Sequence, residues 1–543
     1  MRLKPLMRPR LDAPLPLWMI YPVIFAALYA SHFTLLRVPY YWDEAGYYIP
    51  AAWDFFRTGS LIPITTLTNA HPPLPSIYLA TWWKISGFLP EVTREAVLIV
   101  ASLGLLAVWR LAMRLVGVAS VAFWTVALTA IYPIWFAQST LAHADIFAAA
   151  CTLWGLVYAL PGKDREWDPK NWCAALWFSA AALCKETSIA IPLTLAAFAI
   201  VGSLRDQPRA RRLRRWREAA WLASCVLPLT TWYGWHYFKT GFLFGNPEFL
   251  RYNAESTLDP LRFLAAFGHR LLHLTAHMNL FVPVLITVAA LLLLDPRPGA
   301  DGHERAAIGT PALRRIYLLL LVNCFVFSVL GGALLTRYLL PMYPLVLLVA
   351  VTTFYRRAPF WPALAALSAG AFILGLFINP PYGFAPEDNL AYAHVVRLHE
   401  AGIAQLNHRY PGSTVLSAWP MTDELSRPEL GYLKTPYEVY RLEDFTDAQI
   451  ARAAAEPERY SVALVFSTKY DPPSPLLSLG AKSKALDERF FGLHHDVPPE
   501  AIAMELHGSL VWKKEDQGQW VALIRFNRQY EARLEQRDDL HAR

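Results

Sequence analysis

The chain has 543 residues, of which 55% are hydrophobic and 17% are charged, and its mean hydropathy is +0.27. Together with 20 Trp, this composition excludes an ordinary soluble globular protein and predicts that most of the chain lies in a bilayer. The net charge of +7 is explained by arginines in short loops rather than by affinity for nucleic acid, which is not expected as a partner.

The first apolar segment, residues 17–36, follows four basic residues and lacks a small-residue cleavage pattern. We therefore expect a retained helix with a cytoplasmic N-terminus. The chain then emerges outside, where residues 38–94 form a mixed, aromatic outer loop.

Further apolar segments follow in chain order, and they are 95–113, 118–137, 145–160, 172–184, 187–203, 219–238, 278–294, 315–335, 338–355 and 359–378. The total of about eleven helices predicts a polytopic α-helical membrane protein. Residues 205–217 hold seven arginines against one aspartate, which marks a cytoplasmic loop and places Lys185 at the outer side. With an odd number of helices, the C-terminus lies outside.

The composition changes at residue 379, after which charges, Pro and His become frequent. Short β-like runs at 414–418, 461–467 and 520–526 alternate with helical patterns at 389–407 and 447–455. We predict two domains: residues 1–378 form the transmembrane unit, with outer loops 38–94 and 239–277, and residues 379–543 form a soluble extracytoplasmic α/β or α+β domain.

The first outer loop contains Asp43 and Glu44, with Tyr47 and Tyr48 four residues further on and therefore on the same face of a helix. Ionisable groups close to hydrocarbon are costly unless they are partnered or used, so we expect Asp43 to be a general base. Simple N-capping of the helix by Asp43 is the alternative. Glu44 either orients Asp43 or binds metal, and the two phenols are expected to contact substrate.

Two further polar motifs lie at the same rim. His71 precedes Pro72 and Pro73, which hold it in an extended segment, and it can donate to a phosphate, ligate a metal or be an ordinary loop residue. His143 and Asp145 begin an otherwise apolar helix, and His143 is expected to contact substrate. Asp145 is either its N-cap or a second carboxylate that binds the acceptor, the sugar or a divalent ion.

Two cations are expected at this rim. Lys185 interrupts apolar sequence, and Arg337 with Tyr338 lies between two spans. Two cations at one boundary suit an anionic phosphate, and Arg provides the better fork. Tyr338 is expected to contact the same phosphate. Snorkelling to the interface, or an ion pair between Lys185 and Glu186, is the alternative.

In the outer segment 239–277, His269, Arg270, His273 and His277 are spaced along a helical face and resemble an interfacial amphipathic helix that admits a lipid substrate. Arg251, His269 and Arg270 are expected to contact substrate. The histidines could also suggest zinc, but their spacing alone does not define a site. No cofactor is certain, and a divalent metal ion is left open. The chain has no Gly-rich phosphate loop, Walker motif or Ser nucleophile elbow, which disfavours an ATP-driven pump.

In this order and on one topological side, the motifs at residues 42–44, 71–74, 145, 184–187 and 337–341 resemble those of the GT-C glycosyltransferases. More narrowly, they are similar to the bacterial branch that includes the lipid A aminoarabinose transferases and relatives of the protein O-mannosyltransferases. That branch typically has Lys before the Pro-Pro pair, where this chain has His71.

The resemblance implies an enzyme of a bacterial inner membrane that transfers a sugar, with inversion, from a polyprenyl-phosphate donor. The acceptor would be a lipid, glycan or protein hydroxyl outside the cytoplasm. It further implies that Asp43 is the base, that Asp145 supports acceptor or sugar binding, and that His71, Lys185 and Arg337 surround the donor phosphate. Membrane lipids are the remaining partners.

Two other classes of function stay open. A secondary transporter or flippase of lipid-linked saccharide would also carry charges in its membrane domain, although those charges are expected near the midplane. A catalytically silent scaffold would tolerate the loss of Asp43.

Overall fold

The computed structural model describes residues 16–162, 170–204, 209–247, 257–299, 302–470, 480–491 and 495–526. Within these ranges the α-helices up to residue 378 are α1 (Leu17–His32), α2 (Ile49–Thr58), α3 (Leu74–Ser86), α4 (Pro90–Leu115), α5 (Ala119–Ile131), α6 (Pro133–Gln138), α7 (Ala144–Ala159), α8 (Asn171–Cys184), α9 (Ala190–Ser203), α10 (Arg209–Ala223), α11 (Val226–Thr240), α12 (Pro260–Thr275), α13 (Phe281–Leu293), α14 (Thr310–Val329), α15 (Tyr343–Arg357) and α16 (Trp361–Phe377). The protein is a multi-pass membrane protein built mainly from helices, as the sequence predicted.

By length and composition, four helices in the described part of the chain can cross a membrane, and these are Leu17–Leu35, Pro90–Leu115, Glu186–Ser203 and Thr310–Val329. The pair α12 and α13 would make a fifth span, although it is bent by 101°. Shorter apolar helices complete the bundle. The count of eleven spans therefore stays a prediction.

Helix α4 is the central element of the bundle, and most of its residues are buried. It begins with Pro90, whose missing N–H costs nothing at a helix start. Gly104 on α4 makes room for a neighbouring indole, because a Cβ there would lie 3.1 Å from Trp135. Since helices in lipid associate through close packing rather than through the hydrophobic effect, such small residues let them approach.

The two ends of the bundle differ in chemistry. Helix α9 starts just after Lys185 and Glu186 and ends before the arginine-rich α10, while α15 starts just after Arg337 and ends at Arg357. The expected site residues therefore lie at one end of these helices and the basic loops at the other. By the positive-inside rule, the basic end is the one expected in the cytoplasm.

Two predicted spans are divided in the structure: 118–137, which forms α5 and α6 with Tyr132 between them, and 219–238. The sequence predicted a helix over residues 219–238, whereas the structure has α10 and α11, which are separated by a break at Ser224 and Cys225. The arginines of α10 are largely exposed, and the helix also exposes Trp216. Apolarity alone set the predicted boundaries, and it could not show that the basic segment before residue 219 is itself helical.

The C-terminal domain contains α17 (Ala391–Arg409), β1 (Val415–Ala418), α18 (Met421–Ser426), β2 (Val439–Leu442), α19 (Asp447–Ala454), β3 (Val462–Phe466), α20 (Gly480–Phe491), α21 (Pro499–Glu505), β4 (Gly508–Asp516) and β5 (Gln519–Phe526). The described strands form one sheet in the order β2-β1-β3-β5-β4. Strand β1 runs parallel to β2 and β3, and β5 is antiparallel to β3 and β4. This small mixed sheet with helices agrees with the predicted α/β or α+β class. The sequence missed β2 and β4, which are partly exposed and lack a clear apolar run.

The C-terminal domain rests on the first outer loop of the membrane unit. The indole of Trp419 packs edge-on against Trp42, with 5.0 Å between ring centroids. It also lies so close to Gly46 that a Cβ there would approach it to 2.7 Å. The Tyr432 hydroxyl donates to the carbonyl of Tyr40 over 2.9 Å. These contacts close one end of the bundle.

Candidate active site

A cavity of about 1930 Å³ lies between the site end of the bundle and the C-terminal domain. Its walls come from the first outer loop, the start of α9, the helix α12, the loop before α15 and the segment that follows α16. The C-terminal domain contributes Trp419 and Tyr470, among other residues. A volume of this size exceeds that of a typical small-molecule pocket and can hold a sugar together with part of a lipid chain.

Arg337 is the electrostatic centre of this cavity. Its side chain is almost fully buried, and its guanidinium group donates to Asp43 through Nη2 and to both carboxylate oxygens of Glu387 through Nη1. Its Nε atom lies 3.3 Å from Asp145 Oδ2. The 3₁₀ turn Thr336–Leu339 holds this arginine in place, because the Tyr343 hydroxyl donates to the Thr336 carbonyl over 3.0 Å.

The surrounding carboxylates keep Arg337 charged. Burial favours the neutral form of the guanidinium, but the attraction of Glu387, Asp43 and Asp145 outweighs it and raises the pKa of Arg337. Burial also favours the neutral form of Glu387 and raises the pKa of this carboxyl to about 8, because the attraction of Arg337 is offset by repulsion from Asp43, Asp388 and Asp145. Glu387 therefore holds a proton at neutral pH.

Lys185 is the second cation at the cavity. It follows the last residue of α8, and its Nζ atom donates to Asp145 Oδ1 over 2.5 Å. The same ammonium lies 4.1 Å from the ring centroid of Tyr338, where the negative face of the ring attracts it. Lys185 lines the cavity and pairs with Asp145, so the alternative of an ion pair between Lys185 and Glu186 is wrong.

Asp43 is the carboxylate of this cluster that solvent can reach, since 31% of its side chain is exposed. It directly precedes a single π-helical turn, Glu44–Tyr48, and its side chain caps no backbone N–H group. Simple N-capping is therefore not its role. The π turn also brings Tyr47 and Tyr48 to the cavity wall, which agrees with their predicted placement.

Glu44 has a structural position rather than a catalytic one. It is fully buried and its Oε1 atom accepts hydrogen bonds from Arg94 over 2.5 Å and from the Ala142 N–H over 2.6 Å. Its Oε2 atom accepts from the Tyr41 N–H over 2.9 Å. Glu44 does not line the cavity, so the expectation that it takes part in catalysis is corrected: it joins the first outer loop to α4 and to the turn before α7.

Asp145 and His143 also lie behind the cavity wall rather than in it. Asp145 is buried between Lys185 and Arg337, which it holds together, and it is not the N-cap of α7, since that position is occupied by His143. The His143 ring is buried with Nδ1 2.9 Å from Gln138 Oε1. Burial and the neighbouring Arg337 lower the pKa of His143 well below its usual value, so the ring is neutral. Direct substrate contact by these two residues is contradicted by this placement.

His71 lines the cavity as the sequence predicted. Its Nδ1 atom lies 3.1 Å from Glu186 Oε2, and its ring stacks on that of Tyr48 with 5.9 Å between centroids. Tyr47 meets the same imidazole edge-on at 5.4 Å. His71, Tyr47 and Tyr48 thus form one aromatic wall beside the two cations.

Two residues of α12, His269 and Arg270, are expected from the sequence to contact substrate, and the structure places them differently. His269 lines the cavity, whereas Arg270 is buried and donates to the carbonyls of Phe327 (3.1 Å) and Leu335 (2.7 Å). Arg270 therefore holds the loop that carries Arg337, which corrects its expected contact with substrate. Arg251, the third residue expected here, lies outside the described residues.

The acidic pair that follows α16 was not predicted from the sequence. Glu387 binds Arg337, and Asp388 accepts from the Thr336 hydroxyl and lies 2.9 Å from His277 Nε2. The Tyr382 hydroxyl lies 3.0 Å from His277 Nδ1. A signal was present, because two adjacent acids follow a Pro-rich run at the end of the last span. The change in composition at this point predicts the beginning of a solvated domain instead.

Within the described ranges, no three His, Cys, Asp or Glu side chains are grouped as ligands for a metal ion. The acids around Arg337 are instead used in ion pairs with it and with Lys185. This arrangement is suited to hold an anion between two cations beside a solvent-accessible carboxylate.

Three comparisons with known proteins bear on this site. Residues 70–232, less than a third of the chain, match the family model described as dolichyl-phosphate-mannose-protein mannosyltransferase. No curated protein sequence gives a significant match. Crystal structures of ArnT from Cupriavidus metallidurans are similar at 15% identity over 94% of this chain and 98% of that chain, with TM-scores of 0.52 in the apo state and 0.53 bound to undecaprenyl phosphate.

An oligosaccharyltransferase from Archaeoglobus fulgidus is more distant, with 12% identity over 93% of this chain and 74% of that chain and a TM-score of 0.39. The likeness to ArnT extends over nearly the whole of both chains, including the C-terminal domain. The chain therefore has the GT-C fold that its sequence motifs predicted.

Proposed function

We propose that this protein is a membrane glycosyltransferase that moves a sugar from a polyprenyl-phosphate donor to a hydroxyl group of a lipid, glycan or protein, with inversion. The observation that carries the proposal is the convergence of Arg337, Lys185 and Asp43 at one cavity. Two cations and a carboxylate within one cavity match what such a transfer needs, because its leaving group is a phosphate and its nucleophile is a hydroxyl. The match to the mannosyltransferase family model and the fold shared with ArnT support the same reaction class.

In the proposed reaction, Arg337 and Lys185 bind the donor phosphate, with Tyr338 and His71 beside it. The acceptor oxygen forms a bond to the anomeric carbon as the bond from that carbon to the phosphate oxygen breaks. The acceptor proton goes to Asp43, and the released polyprenyl phosphate keeps its negative charge against the two cations. A single displacement of this kind inverts the anomeric configuration.

Arg337 connects the binding of the donor phosphate with the transfer of the acceptor proton to Asp43. In the structure its guanidinium group contacts Asp43. A phosphate bound to Arg337 would compete for this guanidinium group and leave Asp43 free to contact the acceptor hydroxyl.

The polyprenyl chain would enter beside α12. Leu261, Leu264 and Leu271 are exposed on the outer surface of this helix, while His269 and His273 line the cavity. A wall with one apolar and one polar face suits a lipid whose phosphate must reach a polar centre. We further propose that the site faces outside the cytoplasm, since the basic loops lie at the opposite end of the bundle.

The test is transfer of radiolabelled sugar from a panel of polyprenyl-phosphate sugars to membrane extracts by the purified protein, its Asp43→Asn variant and a Glu91→Gln control. Glu91 lies at the same end of the bundle in a partly exposed pair with Arg37. We expect the parent and the control to transfer sugar and Asp43→Asn to lose at least about a hundredfold in rate, the range of a positioned base.

Equal rates for all three proteins would refute Asp43 as the base. No transfer from any donor, together with movement of lipid-linked sugar across vesicle membranes, would replace the transferase with a flippase.

A further inference from the structure

Arg337 contacts three carboxylates, which is more than one guanidinium group can neutralise. Asp145 has a second cation in Lys185, and Asp43 is partly exposed to solvent. Glu387 has neither a second cation beside it nor contact with solvent. Only 4% of its side chain is exposed, and both of its oxygens contact Arg337 Nη1. It is therefore the carboxylate whose charge is hardest to keep in the empty site.

Charge balance leads to the same residue. With every group ionised, Asp43, Asp145 and Glu387 carry one more charge than Arg337 and Lys185 together. A proton on Glu387 makes this set neutral. A phosphodiester with a single negative charge would then restore the same excess, and so the phosphate would stand electrostatically in place of an ionised Glu387 carboxylate.

The groups around Glu387 agree with such an exchange. They come from the first outer loop, α7 and the turn before it, the Arg337 turn and the segment of Glu387 itself, and they are Tyr41, Asp43, His143, Asp145, Arg337 and Asp388. His143 Nδ1 lies 3.9 Å from Glu387 Oε2, but its ring is neutral because its pKa is lowered well below the usual value. Arg337 is therefore the positive charge that competes for Glu387, and it is also the charge that a phosphate would take.

We propose that Glu387 is a displaceable partner of Arg337: it occupies Arg337 in the empty site and gives way, in its protonated form, to the phosphate of the lipid-linked substrate. The proposal rests on the proposed function, because it places that phosphate on Arg337. Glu387 acts through Arg337 and is thus a positioning residue. Where Glu387 is ionised in the empty site, a proton enters from solvent when the phosphate binds and leaves when the product is released.

The proposal predicts the direction in which phosphate affinity changes with pH. The competent state holds Glu387 neutral, so phosphate affinity is fully present well below pH 8 and is lost as the pH rises through the pKa of about 8 for Glu387. If only this state binds, the apparent Kd rises about tenfold between pH 7 and pH 9. At pH 8, where half of the Glu387 carboxyls are protonated, binding takes up about half a proton.

The probe is a polyprenyl methyl phosphodiester, which keeps one negative charge throughout this pH range. Its binding to the full-length protein in nanodiscs is measured by calorimetry in two buffers of different ionisation enthalpy. We expect the parent to take up about half a proton at pH 8 and almost none at pH 6. Because this measurement uses the unaltered protein, it does not depend on the folding of any variant.

The matched variants are Glu387→Gln and Glu443→Gln. Both glutamates line the cavity, but Glu443 is exposed and belongs to the C-terminal domain. We expect the affinity of Glu387→Gln to be independent of pH from 7 to 9, with no proton uptake, and Glu443→Gln to keep the tenfold fall of the parent.

Two results would overturn the proposal, and they are distinguishable. Binding by the parent without proton uptake, or an unchanged pH slope in a folded Glu387→Gln, removes the role of Glu387 but leaves the phosphate site in place. Probe binding that is unchanged by Arg337→Gln shows that the phosphate is not held on Arg337, and this removes the proposed phosphate site as well.

Discussion

Replacing Glu44 with glutamine tests whether this residue maintains the site or takes part in the reaction. The change leaves the Arg94 guanidinium group charged, fully buried and without its carboxylate partner. The change also turns one hydrogen-bond acceptor into a donor. In the parent, the Tyr41 N–H donates to Glu44 Oε2. If the glutamine keeps its oxygen toward Arg94 and the Ala142 N–H, its amide nitrogen faces the Tyr41 N–H, and two donors then meet. Breaking a buried ion pair from one side costs about 3–5 kcal/mol.

The expected shift in melting temperature follows from the size of the chain. Unfolding entropies near 2.1 cal/mol/K per residue are typical of globular proteins and give roughly 1.1 kcal/mol/K for a chain of this length. Helices that persist in detergent reduce this entropy, so the loss corresponds to a fall of at least about 3 °C. Glu91→Gln is the matched control. It breaks a pair with Arg37 whose atoms are 3.5 Å apart and largely exposed, and such pairs contribute less than about 1 kcal/mol.

The assay is thermal unfolding in detergent, followed by tryptophan fluorescence, for Glu44→Gln, Arg94→Met and the double variant. We expect the double variant to be more stable than Glu44→Gln, because it no longer buries an unpaired charge. Sugar transfer at a temperature well below unfolding should fall much less in Glu44→Gln than in Asp43→Asn. A Glu44→Gln protein with unchanged melting temperature and a hundredfold loss of transfer would refute the structural role.

Three further predictions concern the cavity and its supports. Lys185→Gln removes one of the two cations proposed to bind the phosphate and should raise the Kd for polyprenyl phosphate at least about tenfold, as measured by calorimetry, whereas Lys84→Gln on the exposed rim should not. Gly46→Ala places a Cβ 2.7 Å from the indole packed on it, so the C-terminal domain should loosen and chymotrypsin should cut faster after Tyr382 or Phe384 in the linker; Gly268→Ala, with open space around it, is the control. Arg270→Gln removes hydrogen bonds to two buried carbonyls, so it should lower the melting temperature. The Kd for polyprenyl phosphate, measured at a constant temperature well below unfolding, should change little.

Much of the site was accessible from sequence because of where charges are tolerated. Asp43, His71, Lys185 and Arg337 each interrupt apolar or aromatic sequence, and a group so placed must be partnered or used. All four line the cavity. Hydropathy and loop charge placed them at one end of the bundle, since both are local properties of the chain.

Glu44 and Arg270 show where this reasoning fails. Each is polar and lies at the predicted rim, and each is turned away from the cavity to bind backbone groups of a neighbouring segment. Whether a charged side chain faces a cavity or a packed interface depends on the rotation of its helix or turn. That rotation is set by contacts with segments that are distant along the chain.

Glu387 shows the opposite case. In the sequence it belongs to an acidic turn at the start of a soluble domain, and nothing local distinguishes it from a solvated carboxylate. The tertiary structure buries it against Arg337, which lies 50 positions away in the chain. The protonation state of this carboxyl therefore has no signature in the sequence.

The amino-acid sequence by itself determined that the chain crosses a membrane, which end of the bundle is basic and which residue types meet at the other end. These outcomes depend on the transfer of each segment from water to lipid, which is nearly additive along the chain. Only the tertiary structure decided which carboxylates pair with Arg337, which of them reach the cavity and which one holds a proton. Those outcomes depend on distances of a few ångströms between groups far apart in sequence, in a buried environment where each charge alters its neighbours.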